Sequence, residues 1–288
     1  MSRFAPAAGS KLTLASTLPL IDGSTMPRFG IGAWEMTGPS TVTALRSAVE
    51  SIGYKHIDTA QYYRNESYVG QYARESGRRE ELFITTKTFS KGASAAKTIE
   101  RSLEAAGLEY WDLVLIHAPD GGKKARLEAW EGLSELVPHK VKRLGVSNYG
   151  EHHIKELLDS KPRVLPVCNQ IECHPFFAQR SLRSYCESQG IVCQAYCPLA
   201  RQEYDSDPTL QSVAQSAGKT VAQVMLRWSI QSGLVPLPKS SNEGRQRENA
   251  EALAGGWELT KEQMETLDGL DRGKSGAVEV QTMSQEAP

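Results

Sequence analysis

Short apolar and β-branched runs alternate with helical patterns along most of the chain. In residues 41–53, for example, apolar side chains recur at Val42, Leu45, Val49 and Ile52, which is the spacing of a helix that buries one face. Similar helical patterns occupy 66–77, 93–106, 125–137, 150–159, 178–189, 207–231 and 243–254. Eight runs are typical of buried strands, at 28–32, 54–58, 82–87, 112–117, 143–147, 166–171, 191–196 and 234–239. This alternation predicts a parallel sheet with right-handed crossovers.

The number of β/α repeats predicts an α/β fold of the closed (β/α)8 TIM-barrel type. Asp22-Gly23 between two short extended runs predicts an N-terminal β-hairpin, and residues 259–271 predict an extra C-terminal helix. A doubly wound Rossmann sheet is the alternative, but its glycine fingerprint would need glycine where Glu35 stands. We expect one barrel domain over residues 1–288, with flexible tails at 1–11 and about 273–288.

Charge and cysteine content restrict the classes of partner. The formal net charge of −1 gives no electrostatic reason to expect nucleic acid or an anionic membrane, and no apolar run approaches the ~20 residues that span a bilayer. The five cysteines form no metal-binding spacing, and their odd number suits a reducing compartment. The N-terminus lacks the apolar core of a secretory signal. We therefore expect a cytoplasmic protein without a metal, a monomer or weak dimer.

Polar residues stand where three successive predicted strands end. In a (β/α)8 barrel, functional side chains gather at the C-terminal ends of the strands. The second, third and fourth strands end at Asp58, Lys87 and His117. Each residue alone has an ordinary explanation, as a helix cap, a surface ammonium or a packed histidine. Together they indicate a site, because buried charges need partners and Asp58 would pair with Lys87.

Several chemistries suit such a set. Ser147 lacks the second glycine of the G-x-S-x-G motif, which disfavours a serine hydrolase. Lys87 as a Schiff-base nucleophile is one alternative, and a tyrosine acid activated by Lys87 is another. A phenol has a pKa near 10. An ammonium about 4 Å away stabilises phenolate by roughly 4 kcal/mol, which predicts a tyrosine pKa lowered by up to about 3 before desolvation opposes the change. A neutral His117 would orient a carbonyl oxygen.

Eight stretches of the chain carry a resemblance to a known family. They are GIGAWEM (30–36), HIDTAQYYRNE (56–66), LFITTK (82–87), DLVLIHAP (112–119), GVSNY (145–149), NQIECHP (169–175), YCPLA (196–200) and PKSSNEGRQREN (238–249). In this order, over roughly residues 12–272, they resemble the aldo-keto reductases, which are NAD(P)H-dependent (β/α)8 barrels. The resemblance implies hydride transfer to a carbonyl carbon by a tetrad of Asp58, Tyr63, Lys87 and His117, with Tyr63 as the acid. We interpret Tyr62, one position short, as a packing residue.

The resemblance also implies the cofactor contacts. Ser147, Asn148 and Gln170 would hold the carboxamide, Tyr196 would stack on the nicotinamide, and Pro198 and Leu199 lie where the pyrophosphate passes. Cys197, which stands where the family usually has a serine, also belongs to the predicted cofactor contacts. Lys239, Ser240 and Arg245 match a 2′-phosphate clamp, and Glu248 and Asn249 match adenine contacts. Ala33, Trp34, Asp58 and Ser241 complete the predicted set. Two cations and hydroxyls at a strand-to-helix turn form an anion site, which favours NADPH (NADP⁺) over NADH.

The expected substrate is a small carbonyl compound. Trp34, Tyr63, Phe89, His117 and Ala118 would line its pocket. Ala118 stands where many family members have an aromatic residue, so we expect an open pocket that takes a ketone or α-dicarbonyl rather than an aldose. Three alternatives stay open: a Schiff-base lyase using Lys87, a cofactor-binding partner subunit without activity, and a dehydrogenase that runs in the oxidative direction.

Overall fold

The computed structural model describes residues 2–89, 91–279 and 285–286. Two short strands, β1 (Thr17–Pro19) and β2 (Thr25–Pro27), pair antiparallel and form the predicted hairpin. Eight further strands form one parallel sheet in chain order. They are β3 (Ile31–Gly32), β4 (His56–Asp58), β5 (Phe83–Thr88), β6 (Leu113–Ile116), β7 (Leu144–Ser147), β8 (Cys168–Glu172), β9 (Val192–Tyr196) and β10 (Val235–Pro236).

The first and last strands of this sheet meet and close it. The Gly30 N–H donates to the Pro236 carbonyl at 3.2 Å, and the Gly32 N–H donates to the Pro238 carbonyl at 3.0 Å. Gly32 also forms a parallel β-bridge with Lys239. The approach is close, because a Cβ on Gly30 would lie 2.6 Å from a methyl group of Leu237. A side chain at position 30 would therefore displace Leu237 and His56 at the seam. The predicted (β/α)8 TIM barrel is confirmed.

Helices surround the barrel. They are α1 (Ser40–Arg46), α2 (Glu66–Glu75), α3 (Ser94–Ala106), α4 (Gly122–Ser134), α5 (Glu151–Asp159), α6 (Arg180–Ser188), α7 (Pro208–Ala217), α8 (Val221–Gln231), α9 (Glu243–Ala254) and α10 (Lys261–Asp268). A π-helical turn, Ser47–Ile52, extends α1 to Gly53. The predicted break near Gly218 separates α7 from α8. The extra C-terminal helix α10 begins at Thr260, whose hydroxyl caps it. Among the described residues, no helix is long and apolar enough to cross a membrane.

The hairpin closes the N-terminal end of the barrel. Leu18, Leu20 and Met26 are buried in one cluster with inward side chains of the strands, among them Leu113 and Val192. Because this end is sealed by apolar side chains, the polar strand ends lie at the opposite end.

The N-terminal segment contributes to the same cluster. Phe4 is 5% exposed within it, and its carbonyl accepts a hydrogen bond from Arg28 at 2.7 Å. The flexible tail predicted for residues 1–11 therefore contains at least one packed residue. For the rest of that segment, flexibility stays a prediction.

Candidate active site

A buried lysine connects the acid and the tyrosine predicted for the site. Lys87 on β5 is 0% exposed and Asp58 at the end of β4 is 3% exposed. The Lys87 ammonium donates to Asp58 Oδ1 at 2.5 Å, to the Thr59 carbonyl at 3.0 Å and to the Tyr63 hydroxyl oxygen at 3.0 Å. Tyr63 lies on the 3₁₀ turn Gln61–Tyr63 that follows β4. Since its oxygen accepts from Lys87, its own proton is available to another acceptor.

The Asp58–Lys87 contact is an ion pair. Burial acts against the ammonium, but the attraction of Asp58 and Tyr63 outweighs it, and the pKa of Lys87 is raised. Burial raises the pKa of Asp58, while Lys87 and Gln170 oppose that change. Lys87 donates to one carboxylate oxygen and Gln170 to the other, at 2.8 Å. Donors on both oxygens are what an ionised carboxylate requires in a barrel interior.

The structure corrects the expected acidity of the tyrosine. Burial raises the pKa of Tyr63 above its ordinary value of 10.0, and the opposing effect of Lys87 does not outweigh it. Lys87 lowers this pKa, as predicted, but burial acts more strongly, so Lys87 does not bring the tyrosine pKa near neutrality. A phenol with a raised pKa keeps its proton at neutral pH, as a proton donor must. The Lys87 ammonium, 3.0 Å from the hydroxyl oxygen, favours the phenolate form and so offsets part of the effect of burial.

His117 is a neutral imidazole beside Tyr63. It follows β6, is 8% exposed, and its ring centroid lies 6.0 Å from that of Tyr63. Burial, then Lys87, hold the pKa of His117 well below 6.5. Nδ1 is buried and has no hydrogen-bond partner among the described residues. In the tautomer with its proton on Nε2, the neutral ring would donate a hydrogen bond to an oxygen in the cleft.

Aromatic rings form a wall beside these groups. The Tyr62 ring stacks on Trp34 with centroids 5.7 Å apart and meets Phe89 edge-on at 5.8 Å. Phe89 in turn stacks on the His117 ring at 4.1 Å. Tyr62 is 62% exposed and Phe89 38%. Tyr62 thus packs on neighbouring rings, but at the surface: with the half-buried Trp34 and with Phe89 it forms an aromatic wall at the mouth of the site.

Residues predicted to hold a carboxamide form a hydrogen-bonded row on β7, β8 and β9. The Ser147 hydroxyl donates to the Gln170 carbonyl at 2.9 Å. Asn148, with φ at 59°, donates from Nδ2 to the His117 carbonyl at 3.1 Å and accepts on Oδ1 from the Tyr196 hydroxyl at 2.9 Å. Ser147, Asn148 and Gln170 are at most 2% exposed. The row therefore runs from Tyr196 to the backbone of His117.

The loop after β9 has an unusual backbone. Cys197, Ala200, Arg201 and Gln202 all have positive φ, a region that non-glycine residues rarely adopt and that recurs at functional sites. Burial raises the pKa of Cys197 to about 12, so it is a thiol. Pro198 is buried and Leu199 packs on the core. Arg201 on this loop forms an ion pair with Glu279 and was not predicted from the sequence.

The predicted phosphate clamp lies between β10 and α9. Lys239 and Ser241, in the segment before α9, and Arg245, in its first turn, are exposed. Ser240 and Asn249 are buried, and Glu248 is half-buried. The Asn242 side chain caps the helix by accepting from the Arg245 N–H at 3.0 Å. Within the described ranges no carboxylate pairs with Lys239 or Arg245, while the neighbouring Arg247 pairs with Glu243. Two such cations at a helix N-terminus suit a phosphate. Among the residues that the structure describes, no side-chain hydrogen bond or ion pair joins this clamp to Lys87.

One buried amide beside the site was not predicted. Asn65 is 0% exposed. Its Oδ1 accepts from the Thr59 hydroxyl at 2.5 Å, and its Nδ2 donates to the carbonyls of Ala33 and Met36 at 2.8 and 3.0 Å. It thereby fastens the loop that carries Trp34 to the turn that carries Tyr63. The signal available in the sequence was its position directly after HIDTAQYYR.

A buried carboxylate at the end of β8 was also missed. Glu172 is 0% exposed. It accepts from the N–H groups of Val278 and Glu279 at 2.6 and 2.9 Å and from His174 Nε2 at 3.0 Å. Residues 278 and 279, which the sequence assigned to a flexible tail, are therefore anchored near the C-terminal strand ends. Among the residues that the structure covers, no group of three or more His, Cys, Asp or Glu side chains is placed to hold a metal ion.

Comparison with known proteins agrees with this geometry. The model of the Aldo/keto reductase family matches residues 26–272. The chain is 43% identical to the 9,11-endoperoxide prostaglandin H2 reductase of Trypanosoma cruzi, over 86% of this chain and 89% of that one. It is 40% identical to the glyoxal reductase of Bacillus subtilis, over 90% and 94%. A crystal structure of an aldo/keto reductase from Brucella melitensis superposes with a TM-score of 0.85 at 36% identity, covering 91% of this chain and 100% of that one. The chain therefore belongs to the aldo/keto reductase family.

Proposed function

We propose that this protein is an NADPH-dependent reductase that converts aldehydes and ketones to alcohols, with Tyr63 as the general acid. The observation that carries the proposal is the hydrogen-bonded line from the buried Asp58 and Lys87 to the half-buried Tyr63, with a neutral His117 beside it. A protonated phenol and a neutral imidazole at one cleft are the donors that a carbonyl oxygen needs as it gains negative charge.

The residues present fit a nicotinamide cofactor. The reduced nicotinamide, when bound, supplies a hydride to the carbonyl carbon. Ser147, Asn148 and Gln170 would hold its carboxamide, and the Tyr196 ring is fixed beside them by its bond to Asn148. The exposed cations Lys239 and Arg245 would bind a 2′-phosphate. Since NADH lacks that phosphate, they support NADPH as the cofactor.

Proton delivery follows from the hydrogen-bond directions. His117 Nε2–H would donate to the carbonyl oxygen and hold it toward Tyr63. As the carbon accepts the hydride, the oxygen takes the Tyr63 proton. The new phenolate stays hydrogen-bonded to the Lys87 ammonium, and Asp58 keeps that ammonium charged and in place. The product is a neutral alcohol, and the Tyr63 proton is replaced from water.

The wall of the site favours apolar or compact carbonyl compounds. Trp34, Tyr62 and Phe89 present ring surfaces, and Ala118 adds only a methyl group. Such surfaces offer few hydrogen bonds to the hydroxyls of a sugar. A ketone or α-dicarbonyl is therefore the better substrate than an aldose, and one relative is named a glyoxal reductase.

The Schiff-base alternative is disfavoured by the state of Lys87. A Schiff-base lysine attacks as a neutral amine, which requires a lowered pKa. Here Asp58 and Tyr63 raise the pKa of Lys87. Oxidation of an alcohol would use the same residues in reverse.

A substrate panel tests the proposal. NADPH consumption is followed by absorbance with methylglyoxal, phenylglyoxal, acetophenone, benzaldehyde and glucose, with NADH as the cofactor control. We expect the α-dicarbonyls to give the highest kcat/KM and glucose the lowest. Ala118→Phe should lower kcat/KM for phenylglyoxal more than kcat/KM for methylglyoxal, because the phenylalanine ring would fill the open side of the pocket. Preference for glucose would reject the substrate assignment, and a covalent adduct trapped by borohydride on Lys87 would reject the mechanism.

A further inference from the structure

A buried amide in the barrel interior, Gln194, has no place in the reaction as described. It lies in the middle of β9, is 0% exposed and is paired in register with Gln170 on β8. Around it the inner wall is apolar, with Leu115, Val192 and Val235 in the same layer of the core. A side-chain amide in such surroundings is destabilising unless its polar atoms are bonded. Its two contacts therefore define what it does.

The contacts of Gln194 are unequal. Its Oε1 accepts from Gln170 Nε2 at 2.8 Å, which is a short and good hydrogen bond between amides. Its Nε2 donates to the Met26 sulfur at 3.0 Å, and a thioether is a weak acceptor. The stronger contact points toward the active site, and the weaker one points toward the hairpin.

Gln170 is fully committed as a donor. Its Nε2 carries two hydrogens, and two acceptors lie within bonding distance: Asp58 Oδ2 at 2.8 Å and Gln194 Oε1 at 2.8 Å. The amide is thereby fixed in one of its two orientations, because a flip would place Oε1 against a carboxylate and another carbonyl. What Gln170 can offer to a bound molecule is Oε1, a hydrogen-bond acceptor.

We propose that Gln194 is a positioning residue that makes Gln170 an acceptor-only contact for the NH₂ group of the cofactor carboxamide. The inference rests on the proposed function. Without the Gln194 carbonyl, one Gln170 N–H loses its partner and the amide rotates to find another. The carboxamide NH₂ then faces a mobile group rather than a fixed acceptor.

Binding of two nucleotides tests this without any turnover. The probes are NADP⁺ and its 3-acetylpyridine analogue, in which a methyl ketone replaces the carboxamide and no N–H remains. Dissociation constants are read from quenching of tryptophan fluorescence, to which Trp34 at the mouth contributes. For Gln194→Leu we expect the Kd of NADP⁺ to rise about tenfold and that of the analogue to change less than about twofold. The matched control is Met26→Leu, which removes the other partner of Gln194 and should leave both constants within about twofold.

The outcomes separate the two levels of the proposal. If Gln194→Leu raises the Kd of both nucleotides equally, or changes neither Kd, the positioning role is overturned and the proposed function is left intact. Failure of the wild-type protein to bind either nucleotide would overturn the proposed function and this inference with it. If Gln194→Leu does not fold, Gln194→Met, which has a similar length and no carbonyl, replaces it with the same expected ratio.

Discussion

Replacing Lys87 by methionine isolates the electrostatic contribution of the ion pair. Methionine keeps most of the lysine stem but removes donors to Asp58, Thr59 and Tyr63. Asp58, 3% exposed, is left with Gln170 as its donor and with no cation. A carboxylate in that position is unstable, and the barrel accommodates it by binding a proton.

The free-energy cost follows from that protonation. A carboxyl with an ordinary pKa of about 3.9 lies about three pH units below neutrality, and at about 1.4 kcal/mol per unit its protonation at pH 7 costs roughly 4 kcal/mol. This agrees with the 3–5 kcal/mol that breaking a buried pair generally costs. In the variant, the folded-state pKa of Asp58 lies above the unfolded-state value. The destabilisation is therefore nearly absent at pH 4, grows as the pH rises, and is largest at neutral pH.

Urea unfolding followed by circular dichroism measures the effect. We compare the wild type, Lys87→Met and Asp58→Asn/Lys87→Met at pH 4.5, 5.5 and 7.0. Since burial raises the pKa of Asp58 in the wild type as well, Lys87→Met should lose at most about 4 kcal/mol at pH 7.0 and at most about 1 kcal/mol at pH 4.5. The double variant should recover most of the loss, because asparagine is neutral at every pH. A loss of equal size at all three pH values, shared by the double variant, would show that packing rather than charge is responsible.

Three further predictions concern catalysis and cofactor choice. Tyr63→Phe should lower kcat at least about 100-fold, the usual contribution of a general acid, whereas Tyr62→Phe, which keeps the exposed ring, should change kcat less than about threefold. Steady-state kinetics of the two variants test this, and a larger loss of kcat in Tyr62→Phe than in Tyr63→Phe would refute the assignment. Burial raises the pKa of Tyr63 above 10.0, so the phenol keeps the proton that it donates at pH values below its pKa and loses it above. We therefore expect kcat/KM for reduction not to fall between pH 7 and 9 through ionisation of Tyr63. A fall centred near pH 8 in the pH–rate profile would contradict the raised pKa. Arg245→Ala should raise the Kd of NADPH about tenfold and leave the Kd of NADH nearly unchanged, as measured by calorimetry. An equal rise in both Kd values would show that Arg245 does not bind the 2′-phosphate.

Barrel topology explains why much of the site was visible in the sequence. The apolar runs gave the number and order of the strands, and a closed parallel sheet brings all their C-terminal ends to one side. The positions of Asp58, Lys87 and His117 at successive strand ends are therefore enough to group them from the sequence. Tyr63 lies close to them because only a short turn separates it from the end of β4.

The partners across the sheet could not be read in this way. Gln194 is opposite Gln170 because of the register of β8 and β9, and a shift of one residue would turn either amide out of the barrel. Likewise, the burial that raises the pKa of Tyr63 arises from all the surrounding elements together. A distance argument based on Lys87 gave the correct direction for the effect of Lys87 on that pKa, but the larger effect of burial was outside its reach.

The seam of the barrel also determines when the protein is complete during synthesis. Its hydrogen bonds join Gly30 and Gly32 to Pro236 and Pro238, residues separated by roughly two hundred positions, so the loop to be closed is long. Until β10 leaves the ribosome, the nascent sheet has two unpaired edges, β3 and the last strand made. Open edges pair readily with other chains. For this protein the period of greatest risk of aggregation therefore lasts until the last strand has been translated.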